Sequence, residues 1–184
     1  GVGGRLLFWG GDQWYYREPN TIHDLFCMWG TDINNIHAVG GEGTYRFHDG
    51  KQFQRRDELT SEEVSLYGVW GSASDDVYIV GSHGTILHFD GNDEGEWKPM
   101  ESGTDEYLLS VWGSSSNDIF AVGDNATILH YNGKSWSAME PKTDKYLTKI
   151  RGLRSDCIYA VGDDGLVIRF DGEKWNDMSL GEDA

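Results

Sequence analysis

The sequence predicts an all-β propeller of four-stranded antiparallel blades, five in number, of which the first is incomplete. Three features that recur at fixed spacing predict this fold. Each unit has a glycine preceded by Trp or Arg, a Val-Gly pair ten residues later, and a turn glycine preceded by Asp or Asn after ten more. The first of these glycines recur at intervals of 41, 42 and 39 residues, as Gly30, Gly71, Gly113 and Gly152. Repeats of about 40 residues with four strands each are typical of propeller blades.

The four strands of a unit are predicted from the runs between these glycines. The first strand ends at the repeated Trp, as in residues 108–112. The second is a short apolar run, as in 119–122, which fits a buried strand better than a helix. The third, as in 127–131, ends at an Asp-Gly or Asn-Gly pair, a strong hairpin signal. The aromatic residue after that turn begins the fourth strand, at Phe53, Trp97, Trp136 and Trp175.

The first twenty residues match only the second half of a unit. Leu6–Trp9 correspond to a third strand, Gly11 to the turn glycine and Trp14 to the aromatic residue of the fourth strand. We therefore divide a single propeller domain, 1–184, into a half blade and four blades, with the boundaries 1–20, 21–61, 62–103, 104–142 and 143–180. Two arrangements remain open: a five-bladed ring with one thin blade, which we favour, and a part of a larger propeller.

Charge and hydropathy exclude several classes of partner. Lys and Arg number 15 against 31 Asp and Glu, which gives a net charge of −16. Nucleic-acid binding and attraction to anionic lipid surfaces need clustered cations, so we expect neither. No apolar run approaches the ~18 residues of a membrane-spanning helix. Cationic partners, metal ions and neutral sugars remain possible. We expect the two cysteines, Cys27 and Cys157, to be free thiols.

The repeat resembles a known propeller motif. The pattern V-G-x-x-[GA]-T-I-L-H-[FY]-[DN]-G-x-x-W is similar to the Asp-box (BNR-type) repeat, especially that of photosystem II stability/assembly factor-like proteins. The pattern W-G-S-x-x-x-D-[IV]-x-x-V-G resembles repeats of bacterial surface proteins. An Asp box has one residue between its acid and its glycine, whereas here Asp90 and Asp171 directly precede the glycine. The resemblance implies a fold and leaves the function open, because these motifs tie hairpins together.

No catalytic residues are predicted. Sialidases on the scaffold that this repeat resembles need an arginine cluster for the substrate carboxylate and a tyrosine nucleophile. Of the eight arginines, only Arg46 and Arg169 lie in third strands, at offset positions, and Arg151 replaces a repeat Trp. We therefore predict that the protein is not an enzyme, and keep a sialidase-like glycoside hydrolase as a distant alternative.

No metal site or cofactor is predicted either. His88 and His130 occupy equivalent third-strand positions, which we interpret as half-exposed residues of the blade surface. The segment from Asp90 to Glu101 imitates a calcium-loop pattern but is flanked by predicted strands, so a solvated hairpin tip explains it better. The recurring tryptophans are interpreted as packing between blades rather than as sugar platforms; they are Trp14, Trp29, Trp70, Trp97, Trp112, Trp136 and Trp175.

The candidate binding face is formed by loops that differ between the units, since function resides in loops more often than in the repeated scaffold. In a propeller, the turns between the second and third strands share one face with the loops that lead into each first strand. The turns contribute Glu42, Ser82, His83, Asp124, Asn125, Asp163 and Asp164. The incoming loops contribute Asp105, Glu106, Tyr107, Asp144, Lys145 and Tyr146, and the longer stretch 58–63.

Together these features predict a non-catalytic binding module. The leading hypothesis is a protein-interaction scaffold whose acidic loop face engages a polypeptide. The alternative is a multivalent lectin with one shallow sugar site per blade. The scaffold is favoured because a multivalent lectin would repeat its site residues, whereas this chain repeats mostly its core. We expect a secreted or cell-surface location in preference to a cytoplasmic one.

Overall fold

The computed structural model describes residues 1–56, 59–91, 96–141 and 143–179, which form five antiparallel sheets. The first sheet has two strands and the other four have four each, in sequence order across the sheet. The strands are, by sheet, β1 Leu6–Trp9 and β2 Trp14–Arg17; β3 Leu25–Asp32, β4 Asn35–Gly40, β5 Tyr45–His48 and β6 Phe53–Arg55; β7 Leu66–Ala73, β8 Asp76–Gly81, β9 Ile86–Phe89 and β10 Trp97–Pro99; β11 Leu108–Ser115, β12 Asp118–Gly123, β13 Ile128–Tyr131 and β14 Trp136–Ala138; β15 Leu147–Arg154, β16 Cys157–Gly162, β17 Val167–Phe170 and β18 Trp175–Asp177. The predicted four-stranded blades and the two-stranded first sheet are confirmed.

The first strand of each blade is longer than the sequence pattern indicates. We predicted a strand over 108–112, but β11 continues to Ser115. Its pairing with β12 shifts register between Leu108 and Ser110 and again between Gly113 and Ser115. Such bulges bend a strand and increase its twist. The repeated glycine therefore lies inside the first strand, between two bulges, and does not end it.

Aspartate directly precedes the turn glycine because its carboxylate holds the hairpin turn. Asp171 Oδ1 accepts the backbone N–H groups of Glu173 and Lys174, both at 3.0 Å. These hydrogen bonds stabilise the ionised form and lower the pKa of Asp171 to about 2. Gly172, at a φ of 99°, supplies the left-handed residue that the turn needs. This local geometry explains why the acid stands directly before the glycine in this turn.

Neighbouring blades are joined by a tryptophan that lies over a glycine. The indole of Trp29 covers Gly71 of the next blade, and Trp70 covers Gly113 in the same way. A Cβ added to either glycine would stand 2.5 Å from the Cη2 atom of that indole, so no larger residue fits. Trp112 over Gly152 repeats the contact a third time. The Trp-Gly spacing in the sequence is thus the spacing of blade contacts.

A second aromatic contact joins the outer parts of the blades. Phe120 of the fourth sheet packs against Phe170 and Trp175 of the fifth, with ring centroids 5.6 and 6.4 Å apart. The rings of Tyr78 in the third sheet and Trp136 in the fourth are also in contact, edge to face, with their centroids 6.5 Å apart. Trp136 and Trp175 are only 8% and 3% exposed, which confirms the predicted packing role.

The packing prediction is wrong for Trp14. Its side chain is 64% exposed, because it belongs to the first sheet, and none of the other sheets of the described residues packs over it. The first sheet instead packs through Leu6 against Phe53 of the second. The buried Arg46 strengthens this connection, since its guanidinium donates hydrogen bonds to the carbonyl oxygens of Pro19 at 3.0 Å and Asn20 at 2.9 Å.

His88 and His130 each complete a small network within a blade. His88 Nε2 lies 2.7 Å from an oxygen of Asp76, whose other oxygen accepts the hydroxyl of Ser72. The imidazole also stacks on Tyr78 at a centroid distance of 4.1 Å. His130 repeats the arrangement with Asp118 at 2.7 Å. Both histidines are half-buried, as predicted, and both serve the scaffold.

Two further expectations concern the cysteines and membrane-spanning helices. Cys27 and Cys157 are both free thiols, and Cys157 is buried. Among the described residues there is no helix with the length and hydropathy needed to cross a membrane.

Replacing Trp136 by alanine should lower the free energy of unfolding by about 3–5 kcal/mol, because it leaves a cavity between the third and fourth sheets. The matched control is Trp14→Ala, which removes an exposed indole from the equivalent position and should cost less than ~1 kcal/mol. Urea denaturation of both variants measures the difference. Equal losses would mean that the two indoles are buried to the same extent, contrary to the structure.

Candidate functional site

The turns between second and third strands lie beside the incoming loops on one face, where hydrogen bonds join them. The backbone N–H of Asp124 donates to the carbonyl of Tyr107 at 3.0 Å, and that of Asp163 donates to the carbonyl of Tyr146 at 3.2 Å. The same bond links Ser82 to Ser65 at 2.9 Å. We call this surface the loop face. Its loops are held in place by backbone contacts, which leaves their side chains available.

In the tight turns of the loop face, the residues with a left-handed backbone conformation have exposed side chains. His83, Asn125 and Asp164 have φ values of 54°, 49° and 52°, and each is exposed. The residue after each of them also has a positive φ, as two-residue hairpin turns require. Asn and Asp tolerate this conformation, which accounts for part of the polar composition.

Ser82 does not belong to the binding surface, and the prediction that included it is wrong. Its side chain is 3% exposed, and its hydroxyl oxygen accepts the backbone N–H of Ser65 at 3.0 Å. The buried Ser82 side chain therefore stabilises the turn by this hydrogen bond and is not available to a ligand. Sequence alone gave no way to separate this bracing role from an exposed one, since Asp124 and Asp163 occupy the equivalent position.

Three carboxylates influence one another on the loop face. Partial burial raises the pKa of Asp124, and the nearby negative charges of Glu106 and Asp163 raise it further. These residues come from two neighbouring blades, so the arrangement depends on the packing of the fourth sheet against the fifth. Beside them, Asp164 pairs with Lys145 at 3.6 Å. We call Glu106, Asp124 and Asp163 the acidic cluster.

An aromatic row crosses three blades next to the acidic cluster. Phe26 stacks on Tyr67 with ring centroids 5.5 Å apart, and Tyr67 lies 6.1 Å from Tyr107. His83 meets the edge of Tyr107 at 5.4 Å. Phe26 and Tyr107 are 46% and 38% exposed. The row therefore offers a continuous aromatic surface to a ligand.

Sequence reasoning found Tyr107 and His83 but missed Phe26 and Tyr67. It searched the loops, whereas both missed residues lie in the first strands, one position after the repeated leucine. An available signal was that this position is aromatic in two units and holds Leu109 or Thr148 in the others. Tyr146 stays outside the row: it is 46% exposed and has no ring contact within the described residues.

A cavity of ≈ 650 Å³ adjoins the aromatic row at the third blade. His83 and Asp105 line it on one side, and Glu101 lies among the remaining lining residues. The hydroxyl of Thr60, which also lines the cavity, is buried and has no hydrogen-bond partner within the described residues. The cavity extends the loop face toward its outer edge with further polar groups.

The described residues hold no group of three or more His, Cys, Asp and Glu arranged for a metal ion. Residues 92–95 of the calcium-loop-like segment lie outside the described residues, as do residue 58, the first of the 58–63 stretch, and residue 57 before it. Of the segment's described part, Asp90 pairs with Lys98 at 2.5 Å. Asp144 is exposed on the incoming loop of the fifth blade.

Comparison with known proteins identifies the fold. No protein-family profile and no curated protein matches the sequence. A solved structure of YCF48 bound to D1 peptide is 16% identical with a TM-score of 0.68, over 86% of this chain and 54% of that one. YCF48 from Cyanidioschyzon merolae gives 12% and 0.66, over 94% and 66%. A structure of U3-55K gives 6% and 0.71, over 95% and 60%.

These likenesses confirm the β-propeller, since all three TM-scores are far above chance while the identities are low. The chain spans 54% and 66% of the length of the two YCF48 structures it matches. The finer resemblance to Asp-box repeats stays a prediction.

Replacing Asp124 by asparagine should raise the unfolding midpoint at neutral pH. A carboxyl with a pKa raised in the folded state destabilises the fold while it is ionised, and this cost disappears when the pH falls below its ordinary pKa. The gain over the unaltered protein should therefore shrink as the pH is lowered through the range just above that value. Thermal melts between pH 3 and 7 measure it.

Asp171→Asn serves as the control with the opposite sign. The pKa of Asp171 is lowered to about 2, so its ionised form stabilises the fold at neutral pH. This variant should lower the unfolding midpoint at neutral pH, and the loss should fade as the pH falls toward 2. A shift of the same sign in both variants would contradict the electrostatic assignment.

Proposed function

We propose that this propeller is a non-catalytic protein-interaction module whose loop face binds an extended, basic polypeptide segment. The observation that carries the proposal is the exposed aromatic row beside the acidic cluster. Aromatic side chains offer large contact areas at low conformational cost. The carboxylates add a negative potential that attracts lysine and arginine.

The spacing of the row supports an extended peptide as the ligand. Neighbouring rings of Phe26, Tyr67 and Tyr107 lie 5.5 and 6.1 Å apart. Side chains on one face of an extended chain recur every ~6.6 Å, that is, every second residue. A segment laid along the row would thus place successive apolar side chains near successive rings. Basic residues that follow this apolar stretch would lie beyond Tyr107, where Asp124 and Asp163 of the fourth and fifth blades are located.

The excess of negative over positive charge on the loop face supports a basic rather than a neutral partner. Partial burial raises the pKa of Asp124, and the negative charges of Glu106 and Asp163, which repel its own charge, raise it further. A lysine or arginine of a partner would relieve this repulsion on binding. Lys145 pairs with Asp164 at 3.6 Å and so lies at the margin of the acidic cluster.

The comparisons support a polypeptide partner in a general way. One of the similar structures is described as YCF48 bound to D1 peptide, and another as WD40 repeats of RRP9. A propeller of related shape thus accommodates a peptide. At identities of 16% and 6% the ligand itself does not carry over to this chain.

The other candidate functions have less support. A multivalent lectin would repeat its site, but the positions equivalent to Tyr107 are Asp24, Ser65 and Tyr146. A sialidase-like enzyme would need free arginines, whereas the guanidinium of Arg46 is buried against backbone carbonyls. A secreted or cell-surface location stays a prediction, which fractionation of the native host would test.

The test is fluorescence anisotropy with a labelled peptide that has tyrosine and leucine at alternate positions, followed by several lysines. The control ligand is a peptide of the same length in which glutamate replaces lysine. The unaltered protein should bind the basic peptide and not the acidic one, and added salt should weaken binding because it screens exposed charges. The double variant Asp124→Asn, Asp163→Asn should bind it at least ~10-fold more weakly, which corresponds to about 1.4 kcal/mol.

The matched control is Asp75→Asn with Glu173→Gln, which removes the same charge from exposed turns outside the loop face. Equal weakening in both double variants would show that net charge, not the acidic cluster, governs binding. No binding of the basic peptide together with reproducible binding on a glycan array would replace this proposal by the lectin.

A further inference from the structure

A cavity of ≈ 390 Å³ lies between the second and third sheets. The second sheet contributes His37, Tyr45 and Phe47 to its walls. The third sheet contributes Phe89 and Trp97, so rings of both sheets enclose the space. None of its described lining residues belongs to the aromatic row or to the acidic cluster. Cavities of this size with largely aromatic walls are typical of small-molecule sites.

The cavity lies where the second sheet departs from the repeat. In the fourth sheet, Phe120 on β12 pairs with His130 on β13, and the third sheet repeats this pairing of an aromatic ring with a histidine. In the second sheet the order is reversed, because His37 on β4 pairs with Phe47 on β5. An imidazole is smaller than the ring of Phe or Tyr, so the exchange leaves space at the position over which the next sheet packs.

The residues that pack over this position are less buried than their equivalents. Trp97 packs on His37 with ring centroids 6.1 Å apart, and both Trp97 and its strand partner Phe89 are half-buried. The equivalent Trp175 and Phe170 of the fifth sheet are 3% and 7% exposed. The interface between the second and third sheets is therefore filled less completely than the interface between the fourth and fifth.

The hydrogen bonds of His37 determine where its ring proton lies. Burial, and to a lesser extent the positive charge of Arg56, lowers the pKa of His37 to about 4, so the ring is neutral at neutral pH. Its Nδ1 atom lies 2.9 Å from the hydroxyl oxygen of Tyr45, to which the indole of Trp97 is also hydrogen-bonded. An indole N–H can only donate, so the hydroxyl accepts from Trp97 and donates its own proton to Nδ1. The proton of the neutral ring is consequently on Nε2.

This Nε2–H group has no partner in the protein. The Nε2 atom of His37 is buried, and no hydrogen-bond partner for it exists within the described residues. The residue is only 2% exposed, so bulk water does not reach the group. A buried donor that makes no hydrogen bond destabilises the fold, and such donors are rare. Because His37 lines the cavity, an acceptor placed in the cavity would satisfy it.

A positive charge lies beside the same part of the cavity. Arg56 is among the lining residues, and its guanidinium carbon lies 5.8 Å from the ring centre of Phe47. The ring of Phe47 in turn lies 5.2 Å from the imidazole of His37. Asp75 is the acidic residue among the described lining residues, but it is exposed, and salt and water screen its charge. The cavity therefore favours an acceptor that carries a negative charge.

We infer that the cavity binds a small aromatic carboxylic acid, whose ring lies between the aromatic side chains of the two sheets and whose carboxylate lies between His37 Nε2 and the guanidinium of Arg56. Aromatic walls contact a flat ring in stacked or edge-on arrangements. Hydrogen bonds from an arginine to a carboxylate are stronger than those between neutral groups. This site is separate from the loop face, so it goes beyond the peptide binding proposed above.

Isothermal titration calorimetry with 2-naphthylacetate tests the inference. The unaltered protein should bind this acid with a Kd of about 1 mM or lower, as expected for a ligand of this size in a matching cavity. The neutral 2-naphthylacetamide has the same shape and should bind at least ~10-fold more weakly, because it lacks the charge that Arg56 attracts.

Two variants separate the charge from the space. Arg56→Gln should weaken binding of the acid until it binds no better than the amide. His37→Phe places the ring type of the fourth sheet into the cavity and removes the donor, so it should abolish binding of the acid and raise the unfolding midpoint. The matched control is Arg154→Gln, which removes an exposed arginine of the fifth sheet and should leave binding of the acid unchanged.

Several outcomes would overturn the inference. They are a Kd for the acid well above about 1 mM, equal affinity for acid and amide, and equal weakening in Arg56→Gln and Arg154→Gln. A His37→Phe variant that is folded by circular dichroism and still binds the acid would also contradict it. Both cavity variants should bind the labelled basic peptide as the unaltered protein does, so a failure of this site is distinguishable from a failure of the proposed loop-face function.

Discussion

The contact between a tryptophan of one blade and a glycine of the next is the constraint on which the rest of the structure depends. Trp70 lies so close to Gly113 that a single added carbon would stand 2.5 Å from the ring. The inner strands β3, β7, β11 and β15 pack side by side through this contact. Because their separation is set there, the loops above them are held at a constant spacing. The aromatic row and the acidic cluster both use that spacing to join residues of different blades.

The same aspartate chemistry has opposite effects on the two sides of a blade. Asp171, in a hairpin turn, accepts backbone hydrogen bonds that lower its pKa, so its charge stabilises the fold. The pKa of Asp124, on the loop face, is raised by its partial burial and further by the nearby charges of Glu106 and Asp163. The carboxylates that make up the net charge of −16 therefore differ in their effect on stability. Part of it holds turns together, and part is concentrated where an external cation would stabilise it.

Position in the series of blades decides whether an equivalent residue is core or surface. Val111 is 1% exposed, whereas Met28, at the same place in the second sheet, is 49% exposed because the first sheet lacks inner strands. Phe120 and Tyr159 differ in the same way at the other end. In β15, the exposed Lys149 and Arg151 stand where the fourth sheet has Ser110 and Trp112. Residues that differ between equivalent positions of the units therefore reflect how exposed each sheet is, which the repeated residues do not.

The sequence by itself determined which segments form strands, where the hairpin turns lie and how the strands group into sheets, because these signals are local. Each turn signal, such as Asn132-Gly133, involves residues that are close together in the chain. The same holds for each of the recurring Trp-Gly pairs. Tertiary structure decided which residues of the loop face are available. Ser82 resembles Asp124 in the sequence, yet burial removes it, and Tyr67 joins the site from a strand because its neighbours in two other blades lie within 6.1 Å. Those relations come from packing between blades, which no local pattern contains.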